Sequence, residues 1–113
     1  KAVLRRSGKS IEEEILKVGD ISLDVNKHRI TIDSKVVIVS PTEFKLMYFF
    51  MTHQDNVYSR TQLLDQVWGR SAYIEERTVD VHIRRLRKIL KDFNKDELIQ
   101  TVRGFGYRFS VIE

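Results

Sequence analysis

Basic side chains are concentrated in one segment of the sequence. Six of the fifteen residues from Arg77 to Lys91 are arginine or lysine, and Asp80 is the one acidic residue among them. Guanidinium and ammonium groups at this density can bind an anionic partner such as a phosphate backbone. At about 100° per residue, one helical face collects four apolar residues, namely Val79, Ile83, Leu86 and Leu90. The pattern predicts an amphipathic helix with its basic side exposed.

The outer face of this predicted helix also contains an apolar residue, and that combination is typical of base reading. Its members are Thr78, Val81, Arg84, Arg85 and Lys88. In the major groove, arginine binds guanine O6 and N7 as a bidentate donor, and an apolar side chain can contact a thymine methyl group. A basic helix that only faces solvent has a similar pattern. This segment alone therefore leaves both interpretations open.

The segment from Asp20 to Val39 predicts a small β-sheet. Apolar and polar residues alternate over residues 21–25 and 28–32, and residues 36–39 form a short β-branched run. Such alternation is typical of strands that bury one face. Because turn-forming residues separate the runs, we expect an antiparallel meander.

Two capping motifs predict two further helices before the basic one. Ser40 precedes a proline and Glu43, and Ser59 stands three residues before Gln62. A serine N-cap with Glu or Gln at the third helical position forms a capping box, and proline favours the first helical position. We expect the first helix to end near His53, with its aromatic and methionine stripe buried in the core.

The C-terminal segment predicts a β-hairpin. Residues 98–103 and 107–111 have strand character on either side of Gly104, Phe105 and Gly106. Two helices, a basic third helix and a hairpin form a winged helix-turn-helix. We therefore expect an α+β fold with an N-terminal antiparallel β-sheet, three helices and a C-terminal β-hairpin wing. Helix 77–91 would enter the major groove, and the wing, residues 98–111, would place Arg103 at the minor groove.

Composition narrows the class of protein. The 113 residues suffice for one domain, the net charge is +4, and cysteine is absent, so disulfides and thiolate metal sites are excluded. No apolar run approaches the roughly 20 residues that span a bilayer. The histidines at 28, 53 and 82 lie on separate predicted elements, without a nucleophile and base pair or a ligand cluster. We expect no enzyme activity, no metal and no cofactor.

The combined motifs resemble a known family. They lie at residues 41–46, 59–64, 67–69, 77–88 and 101–109. Together they are similar to the DNA-binding effector domain of OmpR/PhoB-type response regulators over about residues 20–111. The segments 81–87 and 49–53 resemble the members that control phosphate-starvation genes.

The resemblance also predicts the organisation of the chain. Residues 1–6 resemble the end of a receiver domain. We expect residues 1–19 to be the receiver end and a flexible interdomain linker, and residues 20–113 to be the winged-helix domain. Because the chain begins with Lys1, we expect a part of a longer protein.

The resemblance implies roles for individual residues. Arg85 corresponds to the main base-reading arginine, and the other expected base contacts are Thr78, Asp80, Val81 and, in the minor groove, Arg103. The expected DNA backbone contacts are Trp68, Arg77, His82, Arg84, Arg87, Thr101 and Tyr107. The loop expected to contact RNA polymerase comprises Gly69, Arg70, Ser71, Ala72, Tyr73, Ile74, Glu75 and Glu76.

The family resemblance further implies the partners. These are double-stranded DNA with direct-repeat operators, the sigma subunit of RNA polymerase, and a sensor histidine kinase that acts through the receiver domain. The domains would form a head-to-tail dimer on DNA in the bacterial cytoplasm, activate transcription and need no membrane. Two alternatives stay open: a winged helix that binds an acidic protein partner, and a nucleic-acid binder that acts through charge alone.

Overall fold

The computed structural model describes residues 15–69 and 74–111. These residues belong to two compact units, one ending at Ile38 and one beginning at Val39. Each unit is described by itself. The three predicted helices, the N-terminal antiparallel sheet and the C-terminal hairpin are all present.

The N-terminal unit is an antiparallel sheet with strands in chain order. Its strands are β1 (Ile15–Val18), β2 (Ile21–Asp24), β3 (Arg29–Ile32) and β4 (Lys35–Val37). The predicted alternation is confirmed, because Ile21 pairs with Ile32, Leu23 pairs with Ile30, and all four are at most 2% exposed. Residues 33 and 34, between β3 and β4, both have positive φ, as a two-residue type I′ turn requires.

The predicted linker, residues 1–19, was wrong for its last residues, because residues 15–18 form a strand. Ile15–Val18 forms β1 and pairs with β2 across the turn at Gly19 and Asp20. The sequence of β1 shows no clear alternation of apolar and polar residues, and none of its residues is fully buried. The expected receiver end at residues 1–6 lies outside the described residues.

The C-terminal unit contains three helices and a second sheet. The helices are α1 (Pro41–Thr52), α2 (Arg60–Leu63), which continues as a π-helical segment (Leu64–Trp68), and α3 (Glu76–Lys91). A 3₁₀ turn (Asp96–Leu98) leads to the hairpin of β6 (Ile99–Val102) and β7 (Gly106–Phe109). A further strand that the sequence pattern does not predict, β5 (Val57–Tyr58), pairs with β7 and gives the strand order β5-β7-β6. Two residues are too short to form a recognisable period-2 pattern.

Both predicted capping boxes are confirmed. Ser40 Oγ accepts from the amide of Glu43 at 3.2 Å, and the Glu43 side chain returns to the Ser40 backbone. Ser59 and Gln62 make the same reciprocal pair at the start of α2. Since each box satisfies two amides that have no intrahelical partner, it fixes where its helix begins.

The core of this unit lies between α1, α3 and β7. The apolar face of α3 is at most 1% exposed, as predicted, and its members are Val79, Ile83, Leu86 and Leu90. From α1, Phe50 is fully buried and its ring stacks on that of Phe109 with centroids 6.2 Å apart. Burial of each such side chain contributes about 1.5–3 kcal/mol. The opposite face of α3 is thereby held outward.

Candidate nucleic-acid interface

The outer face of α3 presents positive charge to solvent. Arg84, Arg85 and Lys88 are exposed, and Val81 beside them is 37% exposed. Within residues 15–69 and 74–111, Arg84 and Lys88 have no ion pair. Thr78 is half-buried in the first turns of the helix. The face therefore combines uncompensated cations with an accessible apolar side chain, as the sequence predicted.

Arg85 stands out because its guanidinium has one buried neighbour. Its Nη1 lies 3.8 Å from Oε2 of Glu43, while 61% of the Arg85 side chain is exposed. Among residues 15–69 and 74–111, no acceptor lies within hydrogen-bond distance of its other N–H donors, so these can meet an external acceptor. The Arg85 guanidinium thus has an ion pair with Glu43 on one side while most of the side chain is accessible to a ligand.

His82 points inward rather than outward. Its Nδ1 lies 2.5 Å from Oε2 of Glu43, and only 15% of the His82 side chain is exposed. The indole of Trp68 lies against the imidazole, with ring centroids 5.5 Å apart. The structure thus brings together two of the predicted backbone contacts, but one nitrogen of His82 is already used within the protein.

Glu43 is a buried carboxylate whose ionised form is stabilised. Burial acts to raise its pKa, but the hydrogen bonds from Ser40 and His82 outweigh that effect and hold the pKa below its ordinary value. A buried charge is tolerated when it is paired and hydrogen-bonded. The sequence predicts a helix-capping role for Glu43, but its contact with α3 joins residues 39 positions apart and leaves no local pattern.

Asp80 is engaged by two other elements. Its Oδ1 accepts from the hydroxyl of Tyr107 at 2.5 Å, and its Oδ2 accepts from Nη1 of Arg60 at 3.0 Å. Burial and the hydrogen bond to Asp80 raise the pKa of Tyr107 to about 12. We predicted a base contact for Asp80, whereas the structure gives both oxygens partners within the protein. Arg60 was not among the predicted site residues, because its contact with Asp80 joins residues 20 positions apart.

The first turn of α3 is tied to the start of α2. Glu76 accepts from the hydroxyl of Thr61 at 2.7 Å, and the Arg60 guanidinium lies 3.8 Å away. Arg77 pairs with Glu75 at 2.6 Å, but its side chain is 81% exposed. These contacts fix the helix end that is expected to enter the groove.

Arg87 joins α3 to the wing. Its Nε donates to the carbonyl of Ile99 at 3.0 Å, and its Nη2 donates to the hydroxyl of Thr101 at 2.6 Å. Its guanidinium carbon lies 5.6 Å from the ring centroid of Tyr107. Three of the predicted backbone contacts, Arg87, Thr101 and Tyr107, therefore form one cluster.

The tip of the wing is exposed and glycine-flanked. Arg103 is exposed, and Phe105 is 73% exposed. Gly106 has φ +151°, and a Cβ there would lie 2.0 Å from the carbonyl oxygen of Tyr58. Glycine at 106 thus permits the close approach of β5 to β7. An open pocket of about 340 Å³ lies beside the wing, and its lining includes Arg60, Asp80 and Phe105.

The predicted polymerase loop is described only at its ends. Gly69 ends the π-helical segment, and its amide donates to the carbonyl of Leu64 at 2.9 Å. Ile74 is half-buried, and Glu75 and Glu76 are exposed. The predicted contacts at residues 70–73 lie outside the described residues. In the part of the chain that the structure describes, no three His, Cys, Asp or Glu side chains group as metal ligands, and no helix is long and apolar enough to cross a membrane.

Comparison with known proteins decides the family. The family model described as "Transcriptional regulatory protein, C terminal" matches residues 34–109. The chain belongs to this family. The match confirms the resemblance to OmpR/PhoB-type regulators that the motifs indicated. This family member is therefore a transcriptional regulatory domain.

Relatives of this family member include phosphate-regulon regulators. The phosphate regulon transcriptional regulatory protein PhoB of Pseudomonas aeruginosa is 59% identical over 110 residues, which are 97% of this chain and 48% of the relative. PhoB of Escherichia coli is 54% identical over the same length, again 48% of the relative. The chain spans about half the length of these curated relatives.

Solved structures confirm the winged-helix fold. The DNA-binding domain of the response regulator AdeR, in complex with an intercistronic region, has a TM-score of 0.77 at 28% identity and covers 85% of this chain and 99% of that chain. The Klebsiella pneumoniae RstA DNA-binding domain, in complex with RstA box, has a TM-score of 0.75 at 28% identity, with coverage of 87% and 98%.

Proposed function

We propose that this chain binds double-stranded DNA sequence-specifically, as the output domain of a two-component response regulator that controls phosphate-starvation genes. The observation that carries the proposal is the outer face of α3, where Arg84, Arg85 and Lys88 stand exposed around Val81. Identities of 59% and 54% to phosphate-regulon regulators support the gene set. The structural similarity to two DNA-binding domains that were solved in complex with an intercistronic region and with RstA box supports DNA as the ligand.

Base reading would centre on α3. With its N-terminal half in the major groove, Arg85 would donate to guanine O6 and N7, and Thr78 and Val81 would contact neighbouring base edges. Asp80 would serve first as a clamp between α3 and the wing. It would reach a base edge only through the lone pairs that Arg60 and Tyr107 leave available.

Backbone contacts would position the domain without reading sequence. The proposed phosphate contacts are Trp68, Arg77, His82, Arg84, Arg87, Thr101 and Tyr107. Arg103 at the wing tip would enter the minor groove, where the negative potential favours arginine. His82 would use Nε2 for this purpose, because Nδ1 faces Glu43.

The whole protein would work with further partners. We propose that a sensor histidine kinase acts through a receiver domain, and that two output domains bind a direct repeat head to tail in the cytoplasm. The segment 69–76 would contact the sigma subunit of RNA polymerase.

An unbiased selection from random duplexes tests the function. We expect the wild-type chain to enrich a direct repeat. Arg85→Ala should cost about 1–3 kcal/mol and relax the preference at one base pair. Arg84→Ala, an adjacent exposed arginine, is the matched control and should weaken all sequences about equally.

Two outcomes would contradict the proposal. A uniform loss for Arg85→Ala would remove its reading role. Equal recovery of all sequences by the wild type, with steep salt dependence, would indicate binding through charge alone.

A further inference from the structure

The buried carboxylate of Glu43 faces two helices at once. Its Oε1 accepts from the Ser40 hydroxyl at 2.7 Å and completes the cap of α1. Its Oε2 is not used by the cap hydroxyl and points to α3, where it meets His82 at 2.5 Å and Arg85 at 3.8 Å. Only 6% of the Glu43 side chain is exposed.

A helix cap alone does not require this arrangement. The capping box at α2 serves the same local purpose with Gln62, which is neutral and exposed. Burying a carboxylate costs free energy unless partners compensate it, and the second oxygen of Glu43 finds those partners on α3. The arrangement therefore acts on α3 as well as on α1.

The two partners on α3 lie three positions apart, so one carboxylate oxygen can reach both. His82 is held almost buried between Glu43 and Trp68, whereas Arg85 remains 61% exposed. Glu43 thus draws one edge of the Arg85 guanidinium toward the protein. Most of the Arg85 side chain remains exposed to solvent, so a guanine can reach its guanidinium.

We propose that Glu43 is a positioning residue that presents Arg85 to the major groove and so sharpens base discrimination. This inference rests on the proposed function, because it assumes that Arg85 reads a base. Glu43 itself does not contact DNA. It reduces the number of side-chain conformations that Arg85 loses on binding, which favours the bidentate geometry.

A double-mutant cycle on the selected duplex tests the proposal. Glu43→Gln keeps an acceptor for the cap and removes the charge that attracts Arg85. We expect discrimination at the base pair read by Arg85 to fall by about twofold to fivefold, with other positions unchanged. In the Arg85→Ala background the same substitution should have no further effect at that base pair. Glu97→Gln, at an exposed acid outside this cluster, is the matched control and should change nothing.

The outcomes separate the two proposals. If Arg85→Ala relaxes one base pair but Glu43→Gln weakens all sequences equally, the positioning role is wrong and the reading role stands. If Arg85→Ala relaxes no base pair, the reading role fails and the positioning role fails with it.

A second measurement does not depend on the folding of a variant. Arginine side-chain NMR on the wild-type chain compares Arg85 with Arg84, which has no ion pair among the described residues. We expect slower rotation about the Nε–Cζ bond for Arg85 than for Arg84. Equal averaging of the two guanidinium groups would overturn the proposal.

Discussion

The hydroxyl of Tyr107 donates a 2.5 Å hydrogen bond to Oδ1 of Asp80, and this contact joins β7 of the wing to the first turns of α3. The other oxygen of Asp80 accepts from Arg60 at the start of α2. Three elements therefore meet at one carboxylate. The relative placement of α3 and the wing is set before DNA is bound, which lowers the ordering cost of binding.

Loss of the Tyr107 hydroxyl should destabilise the fold. Tyr107→Phe leaves one oxygen of Asp80 without its donor, and a hydrogen bond to a charged group contributes about 1.5–3 kcal/mol. We expect the free energy of unfolding in urea to fall by about 1.5–2 kcal/mol, the lower part of that range, because the Asp80 side chain is partly exposed to water. Tyr48→Phe is the control, since the Tyr48 hydroxyl has no hydrogen bond among residues 15–69 and 74–111. Equal stabilities of the two variants would contradict the clamp.

The same contact predicts a dependence of stability on pH. The pKa of Tyr107 is raised from 10.0 to about 12, so the neutral, donating form is favoured in the folded state. This contribution is complete below pH 10 and is lost as the pH rises from about 10 through about 12. From about pH 10 to about pH 12, the free energy of unfolding in urea should therefore fall more for the wild type than for Tyr107→Phe. Parallel curves for the two proteins would show that the phenol is not held by Asp80.

The two wing glycines should differ in their tolerance of alanine. A Cβ at Gly106 would lie 2.0 Å from the Tyr58 carbonyl oxygen, whereas a Cβ at Gly104 meets nothing within 4 Å. Gly104→Ala should cost about 1–2 kcal/mol for its positive φ alone. Gly106→Ala should cost more, because β5 must also move from β7. Thermal unfolding of both variants measures the difference, and a larger loss at Gly104 would contradict the packing of β5.

Arg103 should affect DNA binding without affecting stability. It is exposed at the wing tip and has no ion pair among the described residues. Arg103→Ala should reduce affinity and lower the salt slope by about 1, with the greatest loss on duplexes that have a narrow A·T-rich minor groove beside the recognition site. Titrations at several salt concentrations measure both quantities. An unchanged slope would remove the wing tip from the interface.

Local patterns were sufficient to predict most of the fold. Ser40 and Ser59 marked where two helices begin, and the spacing of Val79, Ile83, Leu86 and Leu90 fixed which face of α3 is buried. β1 and β5 were missed because weakly buried or very short strands lack a clear alternation. Their pairing depends on neighbouring strands rather than on their own residues.

Local sequence patterns could not predict which residues of the protein contact the site residues. Exposure of Arg84, Arg85 and Arg103 followed from the helical and hairpin patterns. The contacts of His82 with Glu43 and of Arg60 with Asp80 join residues 39 and 20 positions apart. Only the packing of α1 and α2 on α3 creates them, so the sequence predicted DNA contacts for His82 and Asp80 but not their partners within the protein.

The most direct test of sequence-specific recognition is the affinity of this chain for a phosphate-operator-type direct repeat and for a scrambled duplex of the same composition, at two salt concentrations. We expect tighter binding to the direct repeat, with a preference that persists at the higher salt because base contacts release few counterions. Equal affinities that fall together as salt rises would contradict specific reading of that operator by α3.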